Sequence, residues 1–288
     1  MEMNDSSSVD LSDKPFAFLP LPEGRSTTKP RRVGLTMMID QGLPTHYVAD
    51  LVGCAGEYID LAKIKTGTAR LYPERVLRAK LEHYKDHAIK PFIGGQFHEF
   101  VVATTAGRAL TAFYAEAIRL GFSAIEVSDN VIPLTDRERR EHIQRARDAG
   151  LAVFGEVGGK DRRTTPQELL DQAAICLEAG ASLVLVEAAE LVEGGRVDRA
   201  LLQAIAQGLK SEHVMLELPG PWIPDVRACD IEALKKLLVL EFGPDVNVAN
   251  VAPDTVLDFE ATRTGLGVAG PLPSQLQNPA QSMTRGSH

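Results

Sequence analysis

Apolar runs alternate along the chain with segments of helical period, and the alternation is regular. Gly121, Gly150 and Gly180 each follow a helix-like stretch and precede an apolar run: FSAIEVSD, LAVFGEVGG and ASLVLVEAAE. These glycines lie about thirty residues apart, the length of one strand-helix unit in an α/β barrel. A glycine just past a helix is expected, because it enters the left-handed region without a Cβ penalty. Leu110, Phe113, Tyr114, Ala117 and Ile118 share one helical face. Thr135 with Glu138, and Thr165 with Pro166 and Glu168, carry the capping-box signature of a helix start. Pro73 opens a further helix, and Val48, Leu51, Val52 and Ala55 mark the first.

This rhythm predicts eight strands, at 33–40, 58–65, 90–95, 123–129, 151–157, 182–187, 213–218 and 246–251. Short strands rich in Val, Ile and Leu that alternate with helices imply a parallel sheet, and eight units favour a closed (β/α)8 barrel of TIM type in a single α/β domain. The rival, an open doubly wound sheet, carries a glycine-rich phosphate turn after its first strand. Here that strand runs into Asp40-Gln41-Gly42-Leu43-Pro44, and there is no GxGxxG or Walker motif. The expected organisation is an irregular N-terminal tail over 1–30, the barrel over 31–266, and an irregular C-terminal tail over 267–288. Phe16, Phe18 and Leu19 are candidates to dock the first tail, and Arg285-Gly286-Ser287-His288 reads as a tag remnant.

Composition then removes whole classes of function. Hydrophobic residues make up 44% and charged residues 24%, which excludes disorder along the whole chain. No run of about 18 apolar residues predicts a membrane span, and the polar start MEMNDSSSVDLSDK lacks an apolar signal core. The net charge of -8, with no basic stripe, argues against a nucleic-acid partner. Cys54, Cys176 and Cys229 are scattered and form no CxxC, as expected of free thiols in a reducing cytoplasm.

Carboxylates collect where the strands end. Asp40 closes the first strand, Asp129 the fourth and Glu187 the sixth; Glu156 and Glu217 lie near the ends of the fifth and seventh, and Glu126 sits within the fourth. In a barrel those ends meet at one mouth, where active sites are built. Buried carboxylates repel one another unless paired or bound to a hard divalent cation. Lys63 and Lys65 alternate on the second strand and so share a face. Lys160 follows the fifth strand, Arg70, Arg162 and Arg163 are loop arginines able to hold an anion, and His98 is the histidine nearest a strand end. Gly94-Gly95 and Gly158-Gly159 read as tight turns or points of close backbone approach.

These blocks resemble the phosphosulfolactate synthase family. The likeness rests on VGLTMMIDQGLP at 33–44, YIDLAKIKTGTARLYPERVLRAKLE at 58–82, GFSAIEVSDN at 121–130, GEVGGKD at 155–161 and EFGPDVNVANVAPDTVLDFEATRTGL at 241–266, and on their order. It implies a (β/α)8 barrel and a magnesium-dependent lyase that adds sulfite to phosphoenolpyruvate on a route to coenzyme M. It also implies a cytoplasmic homo-oligomer, such as a trimer, with small anionic partners. Plant heat-stress proteins of similar size share the fold. The resemblance maps onto Asp40, Lys63, Gly67, Thr68, Glu126, Asp129, Glu156, Lys160, Glu187, Glu217 and Asn250. With the strand-end reading, it implies Lys160, Lys63 and Asp40 as catalytic groups, Lys160 being the proton donor. Lys65, Thr68, Arg70, His98, Glu126, Asp129 and Asn250 would bind substrate, and Glu156, Glu187 and Glu217 would hold Mg2+. The chain departs from the family at Ala189 and around Gly220, where the family carries an arginine and a lysine. Two other readings follow from that departure: related enolate chemistry on a different anion, or a non-catalytic stress or interaction protein on the same barrel.

Overall fold

Eight parallel strands close into a barrel in the computed structural model, which describes residues 14–19, 24–159, 164–193, 196–220, 222–223 and 226–266. The barrel strands are β1 (Thr36–Asp40), β2 (Leu61–Ile64), β3 (Lys90–Ile93), β4 (Ala124–Val127), β5 (Ala152–Val157), β6 (Leu183–Val186), β9 (Val214–Glu217) and β10 (Val248–Val251). Each falls inside its predicted window, and β10 pairs back with β1 to remove both sheet edges. The short antiparallel pair β7 (Val192–Glu193) and β8 (Arg196–Val197) is an insertion after β6 that the periodicity does not signal.

The helices form the outer layer. They are α1 (Thr45–Ala55), α2 (Glu74–Asp86), α3 (Gly95–Thr105), α4 (Leu110–Leu120), α5 (Asp136–Asp148), α6 (Pro166–Ala179), α7 (Ala188–Leu191), α8 (Arg199–Gly208), α9 (Ala228–Phe242) and α10 (Val256–Thr264). Both expected capping boxes form, on Thr135 and Thr165, and Gly121, Gly150 and Gly180 all take positive φ. On α4, Leu110, Tyr114 and Ala117 are buried, but Ile118 is 41% exposed and lies off the expected face.

Strand alternation divides the core in two. Met37, Leu61, Phe92, Ala124, Phe154, Leu183, Leu185, Met215 and Ala249 fill the barrel interior. The larger cluster lies between strands and helices and includes Ile64, Tyr84, Ile125, Val184 and Phe259. At the N-terminal end of the barrel, the fully buried guanidinium of Arg263 donates to the carbonyls of Pro244 and Val246 (2.6 Å each) and Leu35 (3.1 Å), which binds the β1–β10 seam. Arg25, within the expected tail, is also buried there, on Glu260 (2.8 and 2.9 Å) and the carbonyl of Gly34 (3.0 Å). Phe16 and Phe18 do not dock: they are 72% and 80% exposed.

His98 lies on α3 in the helix layer, stacked on Tyr114 of α4 and edge-on to His142 of α5. Its Nε2 is 3.1 Å from the Tyr114 hydroxyl. Burial, reinforced by His142 and Arg145, pushes His98 down to about 3. The unfolded chain therefore takes up a proton that the folded one refuses, so stability is full above about pH 6.5 and falls as pH drops from there toward 3. The expected slope from His98 is up to about 1.4 kcal/mol per pH unit. Urea melts of wild type and His98→Gln between pH 7 and 4 should show the variant losing less stability on acidification; parallel profiles would refute the assignment.

Candidate active site at the barrel mouth

The C-terminal ends of the strands surround a cavity of about 350 Å³ lined by Ile39, Lys63, Lys65, Thr66, Gly94, Gln96, Glu156, Glu187, Glu217, Trp222 and Asn250. Alternation places these side chains. Inward positions hold apolar residues in the lower barrel and charged ones one step further: Leu61 gives way to Lys63, Phe154 to Glu156, Leu185 to Glu187 and Met215 to Glu217.

Lys63 is the buried centre of this charge. Its Nζ stands 2.8 Å from Glu126 Oε2 and 3.1 Å from Glu217 Oε1, and so spans the interior from β2 to β4 and β9. Burial works to lower its pKa, but Glu126, Glu217 and Glu156 together outweigh it and hold it well above the usual lysine value. Burial and then the neighbouring Glu156 and Glu217 push Glu126 up, against the pull of Lys63.

Gly94 and Gly95 make room for the pair. A Cβ on Gly95 would stand 2.1 Å from Ser128 Oγ and 2.8 Å from Glu126 Oε1, so only glycine lets α3 start here. The Gly95 N–H then donates to Glu126 Oε1 at 2.9 Å from the first turn of that helix. Two rim residues, Thr66 (φ 52°) and Asn250 (φ 59°), sit in the left-handed region, where non-glycine residues are strained. The Asn250 amide donates to the Leu218 carbonyl at 3.4 Å, while its buried Oδ1 has no hydrogen-bond partner among the described residues.

Carboxylate oxygens of Glu126, Glu156 and Glu217 lie within 4.8 Å of one another, all buried. Three converging hard oxygen donors suit a hard divalent cation. Glu187 lines the same cavity but is not one of the converging three, and it accepts from the Ala189 N–H at 3.5 Å. Glu126, expected on the substrate, takes the place in the trio that Glu187 was expected to fill.

Other expected residues lie elsewhere. Asp40 points outward because Met37 and Ile39 take the inward positions of β1. It binds Lys80 (2.6 Å), Tyr84 (2.9 Å) and the N–H groups of Gly42 and Leu43, tying the strand to α2 and the following turn. Asp129 accepts from Arg139 at 2.6 Å and anchors α5. Thr68 donates to the Lys65 carbonyl at 2.8 Å in the turn after β2. Arg70 lines a groove with Glu74 and Phe113 on the helix layer, and His98 is buried between helices, so neither borders the mouth. Lys160, Arg162 and Arg163 lie outside the described residues. The sequence reading missed Gln96, Trp222 and Asn130, whose amide donates to Glu156. For Asn130 the signal was its place one residue beyond the Asp129 strand end. A second cavity, of about 360 Å³, opens at the opposite end among Arg31, Asp60, Leu61, Lys90 and Phe154. That end of a barrel carries stability rather than chemistry, and Arg31 there is paired with Asp60 at 2.9 Å.

Comparison with known proteins decides the family. Residues 24–268 match the family described as (2R)-phospho-3-sulfolactate synthase (ComA). The chain belongs to that family. It is 33% identical over 244 residues to phosphosulfolactate synthase of Methanocaldococcus jannaschii, covering 81% of this chain and 92% of that one. It is 29% identical over 251 residues to the Bacillus subtilis phosphosulfolactate synthase, covering 83% and 93%. Protein HEAT-STRESS-ASSOCIATED 32 of Arabidopsis thaliana is 21% identical over 263 residues, covering 82% and 87%. Among solved structures, the carboxyl transferase domain of Rhizobium etli pyruvate carboxylase with pyruvate and biocytin matches with a TM-score of 0.58 and 12% identity, over 86% of this chain and 46% of that one. That likeness shows the barrel alone. Membership makes the chain one of a family of enzymes, and no helix among the described residues is long and apolar enough to cross a membrane.

Removing Lys63 takes the ammonium that stands against Glu126 and Glu217 out of a buried charge network. Lys63→Met should lose about 3–5 kcal/mol of stability in urea denaturation. Adding Glu126→Gln to it should recover part of that loss, because the two changes act on one network. Strictly additive losses would refute the coupling.

Proposed function

We propose that the chain is a magnesium-dependent lyase of the phosphosulfolactate synthase type, adding sulfite to phosphoenolpyruvate or running that reaction in reverse, as a cytoplasmic homo-oligomer. The observation that carries this reading is the convergence of Glu126, Glu156 and Glu217 at the mouth of a barrel whose family is that of phosphosulfolactate synthases. These three carboxylates are the proposed holders of the cation, with Glu187 at the edge of the same cavity. Bound there, magnesium would supply Lewis-acid stabilisation of the negative charge that develops on the substrate carboxylate.

The chain's own residues account for the rest. The sulfur lone pair of sulfite attacks the methylene carbon of phosphoenolpyruvate and forms a C–S bond. The electrons of the C=C bond move toward the carboxylate, and a proton is then delivered to the carbon that bears the phosphate. No other bond breaks. Two anions meet, so cations must offset their repulsion. Lys63, held strongly basic by its carboxylates, stays an ammonium and serves as a fixed positive charge rather than a proton donor. Lys65 lines the cavity and is suited to hold an oxyanion, and the open Oδ1 of Asn250 accepts from a bound ligand or water. Lys160, placed by sequence just after Glu156-Val157-Gly158-Gly159, is the proposed proton donor.

Phosphorus NMR of the protein with phosphoenolpyruvate, sulfite and magnesium should show a new phosphomonoester signal that requires all three. Loss of phosphoenolpyruvate to inorganic phosphate alone, or no reaction, would defeat the reading. For Lys160→Met, turnover should fall by a factor of about 100 or more while KM for phosphoenolpyruvate stays close to wild type. A collapse of affinity with turnover preserved would assign Lys160 to anion binding instead.

A further inference from the structure

Helix α3 meets the carboxylates of the mouth at two levels. Gly95 and Glu99 stand four residues apart, so they share one face of the helix. The Gly95 N–H donates to Glu126 Oε1 at 2.9 Å. Glu99, only 3% exposed, reaches the loop between β4 and α5. Its Oε1 accepts from the Ser128 hydroxyl, and its Oε2 from the N–H groups of Val131 (2.6 Å) and Ile132 (3.0 Å). These contacts bracket Asn130, whose amide donates to Glu156. The buried Oδ1 of Asn130 has no hydrogen-bond partner among the described residues.

We propose that Glu99 is a positioning residue for the cation site. By holding the loop on both sides of Asn130, it keeps that amide on Glu156 and so sets the direction in which Glu156 presents its oxygens. The proposal rests on the reading in which Glu126, Glu156 and Glu217 hold the cation. One hydrogen bond leaves an amide side chain free to turn, so the backbone on either side must fix Asn130. Packing does little of this, because Val131 is 69% exposed. Arg139 holds the loop from α5, through Asp129 at 2.6 Å and the Glu156 carbonyl at 3.0 Å. Glu99 holds it from α3. Burying a carboxylate is costly, and a neutral side chain could tether one point of the loop at lower cost. A carboxylate has two acceptor oxygens, and here they take donors from both sides of Asn130 at once. One face of α3 thereby orients two of the three carboxylates, Glu126 directly and Glu156 through the loop. Partners of this kind, one step removed from the ion, govern how well carboxylates bind it.

Titration with Mn2+, followed by the electron paramagnetic resonance signal of the free ion, reads the site without turnover. Glu99→Gln and Asn130→Ala should each weaken Mn2+ binding about tenfold. The double variant should bind no more weakly than Asn130→Ala, because Glu99 acts through Asn130. Wild-type affinity in Glu99→Gln, or losses that multiply in the double variant, would overturn the proposal. Should Glu99→Gln fail to fold, Ser128→Ala takes its place in the cycle, with an expected loss of about threefold and the same lack of additivity; unchanged affinity or a multiplied loss would overturn the proposal there too. If wild type converts phosphoenolpyruvate and sulfite but the cycle fails, the positioning role falls and the lyase reading stands. If Mn2+ binds and the cycle holds without turnover, the lyase reading falls and the positioning role stands. A wild-type protein that takes up no Mn2+ would overturn the proposal together with the cation site.

Discussion

A single buried ammonium sets the terms for the upper half of this barrel. Lys63 reaches across the interior from β2 to Glu126 on β4 and Glu217 on β9, strands that meet only through the barrel's centre. Burying an unpaired carboxylate costs several kcal/mol, and burying several together costs more. The fold tolerates them because Lys63 stands between two, the first turn of α3 donates to a third oxygen, and Asn130 donates to Glu156.

The rest of the site follows from how the strands present their side chains. Below the mouth the inward positions are filled by Met37, Leu61, Phe92, Phe154, Leu185 and Met215, a packed floor that excludes water. One step higher the same faces turn to charge, so the polar groups share one dry boundary where electrostatic interactions are strongest. At this level Thr66 and Asn250 take left-handed backbones that turn the chain at the rim. At the other end, Arg263 and Arg25 stitch the seam and the α10 side of the barrel with hydrogen bonds to backbone carbonyls and Glu260. Stability and chemistry thus occupy opposite ends of one barrel.

Much of this was legible in the sequence because both periodicities are strong there. The glycine-punctuated repeat located all eight strands, and the strand-end rule brought Lys63, Lys65, Glu156, Glu187 and Glu217 to one cavity. What misled was parity. Asp40 and Asp129 close their strands as surely as Glu187 does, but Asp40 falls on the outward face, and Asp129 in the loop beyond β4 is drawn to Arg139 on α5. Glu126, expected on the substrate, sits one inward position below Ser128, deep enough to meet Lys63. His98 lies near a strand end in sequence, but α3 begins at Gly95, and the helix carries the imidazole into the layer between α4 and α5. Trp222 carried no periodic signal, because its position is set by a loop and by the absence of a side chain at Gly220.

The claim on which the functional account stands is that the carboxylates of the mouth form one cation site. Crystals soaked in Mn2+ and measured at a wavelength where manganese scatters anomalously would locate the ion directly. The account predicts one strong peak enclosed by Glu126, Glu156 and Glu217, with oxygen distances of about 2.1–2.2 Å. A barrel mouth without anomalous density, or a peak held instead by surface carboxylates, would contradict it.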